Sequence, residues 1–505
     1  MDLNSLEPAK ASLFTTKSGL RVLILASPGN IFQIEVMTKV GMYDENNSTI
    51  LSQNELEFAH FLEHLNAQFT SINNPDQEKV VNMVESLGGI EWNAYTKPRV
   101  TGYYTRGTSI DPLKKEDNIW KILDIMLDSY FNFTVDEKIF YRETQAVLQE
   151  LARHKSNFMT FLHNQHLKVL FSDHPSTVGI DERMNNVLKK SENIKNFKNE
   201  ILEFRKKHYH PKNSVIVIGL PLLGSIEETN KKFSAFVELI KQRIPVFENQ
   251  FLERNDMSFK RKQMVLFKKN SSRKGTIDNP IIVTIPTPID LIYLLYSVNI
   301  PALDASDVMQ RTAIHFISFM LADGFTSKLL KELRGKVYSI QAGPDFDAYD
   351  NNTNLFNVQT SCDSSNLIDI IAEISNAIST MYKKFDDFAS PDDLKRFKEK
   401  QRYYFEQLRL CSDTRNWISY GEDVLFDETL SFTKNVGNSM LDKTMFPVTK
   451  EKEDFKIVDT IIKRYQASQN IEFEYIRKLL SNVFDPSRSR FVITHNFPEK
   501  MLVQK

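Results

Sequence analysis

Hydrophobic positions in the first half of the chain switch between a period of two and a period near 3.6. Leu20-Arg21-Val22-Leu23-Ile24-Leu25, then Pro28-Gly29-Asn30, then the alternating Ile31-Phe32-Gln33-Ile34-Glu35-Val36-Met37 read as two strands around a turn within residues 11–40. Residues 41–54 are polar and loop-like, and a helix is predicted over 55–69. A strand pair near 100–105 precedes helices at 118–130, 136–156 and 193–208, and the apolar run Ser214-Val215-Ile216-Val217-Ile218 closes this half as a strand.

The pattern then breaks. Residues 246–275 are rich in charge and lack a helical period, which marks a linker with some strand in Met264-Val265-Leu266-Phe267. The expected division is 1–245, a linker at 246–275, and 276–505. The second half echoes the first. Tyr209-His210-Pro211 before its closing strand resembles Phe484-Asp485-Pro486 before Phe491-Val492-Ile493, and His60-Phe61-Leu62 resembles His315-Phe316-Ile317. Two echoes in the same order point to a duplicated domain.

Composition sharpens this picture. A chain of 505 residues is too long for one core, and 41% hydrophobic with 26% charged residues is globular. The 64 basic and 65 acidic residues nearly cancel, so there is no nucleic-acid footprint and no polybasic membrane patch. Cys362 and Cys411 are too few for a disulfide framework and fit a reducing compartment. No apolar run is long enough to span a membrane, and the start Met1-Asp2-Leu3-Asn4 lacks the basic and apolar regions of a signal or transit peptide. A soluble intracellular protein, cytoplasmic by default, is expected.

The chemistry concentrates in His60-Phe61-Leu62-Glu63-His64. On a helix, positions i and i+4 share a face, so both imidazoles can close on one ion with Glu63 beside them. Phe58, Phe61, Leu62, Leu65 and Phe69 fill the opposite side. A catalytic zinc ordinarily takes three protein ligands. Candidates for the third lie on the 136–156 helix, where Glu143, Val147, Glu150 and His154 form one stripe. By themselves these two carboxylates also fit a solvated face. His163 and His166 read as surface residues and His208 and His210 as structural ones. His315, with Ser318 and Phe319 where the carboxylate and second imidazole would stand, reads as a core or interface histidine.

These residues resemble the pitrilysin and mitochondrial-processing-peptidase family of zinc peptidases, also called inverzincins. The likeness is ordered along the chain: Gly41-Met42-Tyr43-Asp44-Glu45, the His60 to His64 signature, Gly88-Gly89, Asn93-Ala94-Tyr95-Thr96, Tyr103-Tyr104, the Glu143 to Glu150 helix, His174-Pro175 and Tyr209-His210-Pro211. In the second half, residues 323–334 resemble the segment before a substrate-binding Arg and Tyr.

The resemblance implies an α+β fold of two homologous domains, each a mainly antiparallel β-sheet packed with helices, facing across a cavity. It implies one Zn2+ per chain held by His60, His64 and Glu150, with Glu63 as general base and Glu143 orienting a ligand. Asn93 and Ala94 would hold an extended peptide on an edge strand, and Arg334 and Tyr338 would contact it from the second half. The implied function is a metalloendopeptidase acting on extended peptides or small unfolded proteins. The competing reading is a catalytically silent subunit of a peptidase-like complex. Half the length of the larger relatives fits a dimer, with itself or a related chain. Two departures stand out. Glu150 follows His64 by a long interval, with the surplus assigned to residues 106–117, and Arg334-Gly335-Lys336-Val337-Tyr338 is shorter than the family spacing.

Overall fold

A computed structural model describes residues 11–27, 31–41, 44, 58–97, 99–156, 191–221, 226–248, 281–286, 291–300, 303, 307–323, 326–345, 355–410, 465–484 and 489–495. The described elements fall into two compact units, the first drawn from 11–156 and 191–248, the second from 281–410 and 465–495. Beyond the short helix Pro245–Glu248, the 246–275 stretch lies outside the described residues, as do His163, His166, His174 and Cys411.

The first unit contains strands β1 (Ala11–Thr15), β2 (Arg21–Ser27), β3 (Ile31–Thr38), β4 (Gly89–Thr96), β5 (Thr101–Thr108) and β6 (Ser214–Pro221). Its helices are α1 (Phe58–Asn66), α2 (Gln77–Ser86), α3 (Asn118–Phe131), α4 (Glu137–Ser156), α5 (Ser191–His208) and α6 (Ile226–Arg243). The sheet order is β1-β2-β6-β3-β5-β4. The segments 20–25 and 31–37 are therefore strands, but they do not pair with each other. β6 lies between them, parallel to β2 and antiparallel to β3. The burial of β6 matches this place. Its residues are buried on both faces from Ser214 to Leu220, so it belongs at the sheet centre, where an uninterrupted apolar run loses nothing to solvent.

The second unit contains β7 (Ile281–Pro286), β8 (Ile292–Asn299), β9 (Val337–Asp345), β10 (Leu355–Cys362) and β11 (Ser489–His495). Its helices include α7 (Val308–Leu321), α8 (Lys328–Leu333), α9 (Leu367–Lys383), α10 (Pro391–Leu410) and α11 (Phe473–Val483). The order is β7-β11-β8-β10-β9, with one parallel pair, β7 and β11. Without β1, the first sheet reads β2-β6-β3-β5-β4 and likewise has one parallel pair, β2 and β6. The two orders coincide strand for strand, as a duplication requires. His60 on α1 and His315 on α7 occupy matching helices after the matching strands β3 and β8. His315 nevertheless corrects the core reading: it is exposed, while Ile314, Phe316 and Ile317 of α7 are buried.

Helix α1 shows why this segment suits a site. Phe58, Ala59, Phe61, Leu62 and Leu65 are buried, each large side chain contributing about 1.5–3 kcal/mol of burial, while His60, Glu63 and His64 stay partly open. Phe61 stacks edge-on against Phe197 of α5 at 4.9 Å, and Phe58 packs on both Phe197 and Phe204. The helix ends before the predicted 69 because Phe69 has a left-handed φ of 52°. The loop that follows is fastened to α3 by the Asp128 carboxylate, which accepts hydrogen bonds from the side chains of Ser71, Asn73, Asn74 and Asn132. Of residues 106–117, where the sequence places the surplus length, 106–108 end β5 and 109–117 form a loop held by Asp117, whose carboxylate accepts from the Ile110 and Asp111 amides and also caps α3.

Candidate metal centre

Three elements build the site. α1 presents His60, Glu63 and His64; α4 presents Glu143 and Glu150; β4 borders α1 as an edge strand paired only with β5 among the described strands. β4 is braced on both faces. Trp92 donates its indole N–H to the Ala67 carbonyl at 2.8 Å and meets the Phe69 ring edge-on at 4.2 Å, which ties the strand to the end of α1. On the other face Tyr95 crosses β5 and donates to Glu35 Oε1 of β3 at 2.7 Å. Glu35 is fully buried, so this bond offsets much of the cost of removing a carboxylate from water. The Gly88-Gly89 pair has a steric cause. Gly88 has φ +77°, and a Cβ on Gly89 would lie 2.8 Å from the Val84 carbonyl oxygen.

His60, His64 and Glu150 converge. One donor atom from each lies within 4.8 Å of the others. Glu150 Oε2 is 3.3 Å from His64 Nε2 and 3.9 Å from His60 Nε2. Donors held ~2.0–2.2 Å from a tetrahedral ion sit roughly 3.3–3.5 Å from one another, so the group fits a metal of zinc's size. Glu143, about two turns earlier on α4, instead meets the other side of the imidazole, with Oε2 3.5 Å from His64 Nδ1. The single stripe predicted on α4 thus contributes two carboxylates to opposite nitrogens of one histidine.

Electrostatics separates Glu63 from Glu143. Burial pushes the Glu63 carboxyl above its ordinary value; His60, His64 and the Thr96 hydroxyl oppose that rise, and Glu150 adds to it. Burial also works against ionised Glu143, but His64 and Arg142 together outweigh it and hold this carboxyl below its ordinary value. Glu150 additionally has Arg153 Nη2 3.5 Å from its Oε1.

Sequence reading missed Thr96, Gln68 and Arg142. Thr96 Oγ1 donates to Glu63 Oε2 at 3.1 Å, and the only hint was its place in the Asn-Ala-Tyr-Thr segment. Asn93 and Ala94 lie on β4 as expected for an edge, and the Asn93 side-chain oxygen accepts from the Ala94 amide at 2.8 Å. Arg334 and Tyr338 lie in the second unit. Arg334 is exposed just after α8, and the Tyr338 hydroxyl sits 2.9 Å from both oxygens of Asp363.

Comparison with known proteins agrees with this architecture. Residues 36–177 match the family described as Insulinase (Peptidase family M16), and residues 258–399 match its Peptidase M16 inactive domain. The chain belongs to peptidase family M16. An uncharacterized zinc protease of Rickettsia bellii is 30% identical over 205 residues, a match covering 40% of this chain and 44% of that protein. The chain thus matches less than half the length of this relative. Among solved structures, a protease from Helicobacter pylori aligns over 96% of this chain and 99% of its own, with TM-score 0.64 and 16% identity. Pitrilysin aligns over 97% of this chain and 45% of its own, with TM-score 0.68 and 14% identity. At such identities the likeness is one of fold. No described helix is long and apolar enough to cross a membrane.

Proposed function

We infer that this M16 chain is a zinc-dependent metalloendopeptidase that hydrolyses peptide bonds in extended peptides or small unfolded proteins. The observation that carries the reading is the convergence of His60, His64 and Glu150 beside the half-buried carboxylate Glu63, which shares its helix with both histidines. His60, His64 and Glu150 would hold one zinc ion. When bound, zinc polarises a carbonyl and lowers the pKa of a bound water. Glu63 is the general base. Thr96 holds its Oε2, leaving Oε1 to take a proton from water and return it to the leaving amine. Burial suits Glu63 to both transfers, because it makes the carboxyl a stronger proton acceptor than a solvated one. Glu143 keeps His64 oriented.

Substrate would add as a strand along β4 at Asn93 and Ala94, since backbone pairing accepts many sequences in one extended geometry. Arg334 and Tyr338 are the proposed contacts from the second unit. Two chains of this size correspond to one pitrilysin length, which supports a dimer, homomeric or with a related subunit. The match of residues 258–399 to an inactive domain leaves open a second reading, a silent structural subunit. Zinc content of the purified protein, measured together with cleavage of a mixed peptide library, tests the proposal. One zinc per chain with cleavage supports the enzyme; metal-free protein without cleavage supports the subunit.

A further inference from the structure

The last turn of α1 leaves the His64 carbonyl without a helical amide, because the Gln68 backbone N–H turns to Leu65 instead. The Gln68 side chain fills the gap: its Nε2 donates to the His64 carbonyl at 2.9 Å. Gln68 Oε1 then accepts from two donors, Arg142 Nη2 at 2.8 Å and Gln77 Nε2. Two donors converging on one atom require that atom to be oxygen, which fixes the amide's orientation. Arg142 Nε donates at 2.9 Å to Glu143 Oε1, leaving Glu143 Oε2 to face His64 Nδ1. The path runs from the His64 ring through Glu143, Arg142 and Gln68 and returns to the His64 backbone.

We propose that Gln68 and Arg142 are positioning residues that close this ring and thereby fix both the rotamer of His64 and its tautomer, with the proton on Nδ1 and Nε2 directed at the metal site. The proposal rests on the zinc reading above. Arg142 is half exposed, so as an ion pair alone it contributes little. Its effect lies in its planar fork, which spans two acceptors, Glu143 on α4 and Gln68 in the turn after α1; a lysine ammonium is a point charge on a flexible stem. Gln68 lies in the turn after α1 and Arg142 on α4, so the ring also fixes the spacing between the elements that carry His64 and Glu150.

The test uses the full chain as wild type, Gln68→Met, Arg142→Ala and Arg142→Lys. Zinc affinity is measured by chelator competition, and His64 is followed by 15N NMR of histidine-labelled metal-free protein. Gln68→Met and Arg142→Ala are expected to weaken zinc binding ~10-fold or more without changing the circular dichroism spectrum, the size of effect that outer partners of metal ligands show. Arg142→Lys should recover none of this, and the Nδ1–H tautomer of His64 should give way to a mixture in all three variants. Wild-type affinity in Gln68→Met and Arg142→Ala, or full recovery in Arg142→Lys, overturns the proposal. If the wild type binds no zinc, the metallopeptidase reading fails, and the ring is judged on the metal-free spectra. An unchanged His64 tautomer in Arg142→Ala then overturns it, whereas loss of that tautomer upholds it.

Discussion

Thr96 and Glu63, 33 positions apart, are joined by a hydrogen bond from the threonine hydroxyl to Glu63 Oε2 at 3.1 Å. This bond connects the edge strand proposed to carry substrate with the carboxylate proposed to move protons. Glu63→Gln should retain zinc and lose ~10²–10⁴ or more in kcat, because an amide cannot accept the proton. Near-normal turnover in that variant would remove Glu63 from the base role. Thr96→Val should act more mildly and with a defined sign. The Thr96 bond favours the carboxylate and so opposes the rise caused by burial. Without it the carboxyl moves further up, and the acid limb of the kcat/KM profile should shift to higher pH.

Glu150 and Glu143 address different nitrogens of His64, and substitution should separate them. Glu150→Gln should lower zinc content directly, since a neutral amide is a poor ligand. Glu143→Gln should leave zinc bound at saturation while weakening its affinity, because it perturbs only the nitrogen turned away from the proposed metal site. Metal analysis after dialysis checks both. Full zinc in Glu150→Gln with depleted zinc in Glu143→Gln would exchange their roles.

The sequence made the site's local parts legible and left its long-range links hidden. His60 and His64 share a face because 3.6 residues make a turn, and the α4 stripe follows from the same period. Strand β6 was legible as a strand but not as the central one, since its neighbours β2 and β3 are set by packing across the whole sheet. The extent of α1 was overread because nothing in Phe69 announces a left-handed residue. The sequence reads His315 as a core or interface histidine, and its exposure follows from how α7 packs. Thr96, Gln68 and Arg142 are ordinary polar residues whose roles arise only when separate elements meet.

Gly102 offers a test of the brace on β4. A Cβ at this position would clash with the hydroxyl end of the Tyr95 ring, which lies across β5 there to reach Glu35. Gly102→Ala should displace Tyr95 and strip buried Glu35 of its hydroxyl donor. Overpacking of this kind costs about 1–3 kcal/mol. Urea denaturation should show that loss, and Tyr95→Phe, which keeps the ring and removes only the hydroxyl, should show a smaller one. Equal stability of Gly102→Ala and wild type would mean that Tyr95 has another place to go at no cost.

Arg334 tests the contribution of the second unit. Its guanidinium makes no hydrogen bond or ion pair among the described residues, whereas Tyr338, four positions on, is already engaged with Asp363. An exposed arginine without partners contributes almost nothing to folding, so a substitution there reads function cleanly. A fixed planar fork suits peptide carbonyl or carboxylate oxygens. Arg334→Ala should keep zinc content and stability while lowering kcat/KM about tenfold, the equivalent of ~1.4 kcal/mol of lost transition-state binding. Tyr338→Phe should have a lesser effect, because the hydroxyl it removes serves Asp363. If kcat/KM is unchanged in Arg334→Ala, the shortened interval from Arg334 to Tyr338 has abolished the substrate contact, and the second unit must bind peptide through other residues.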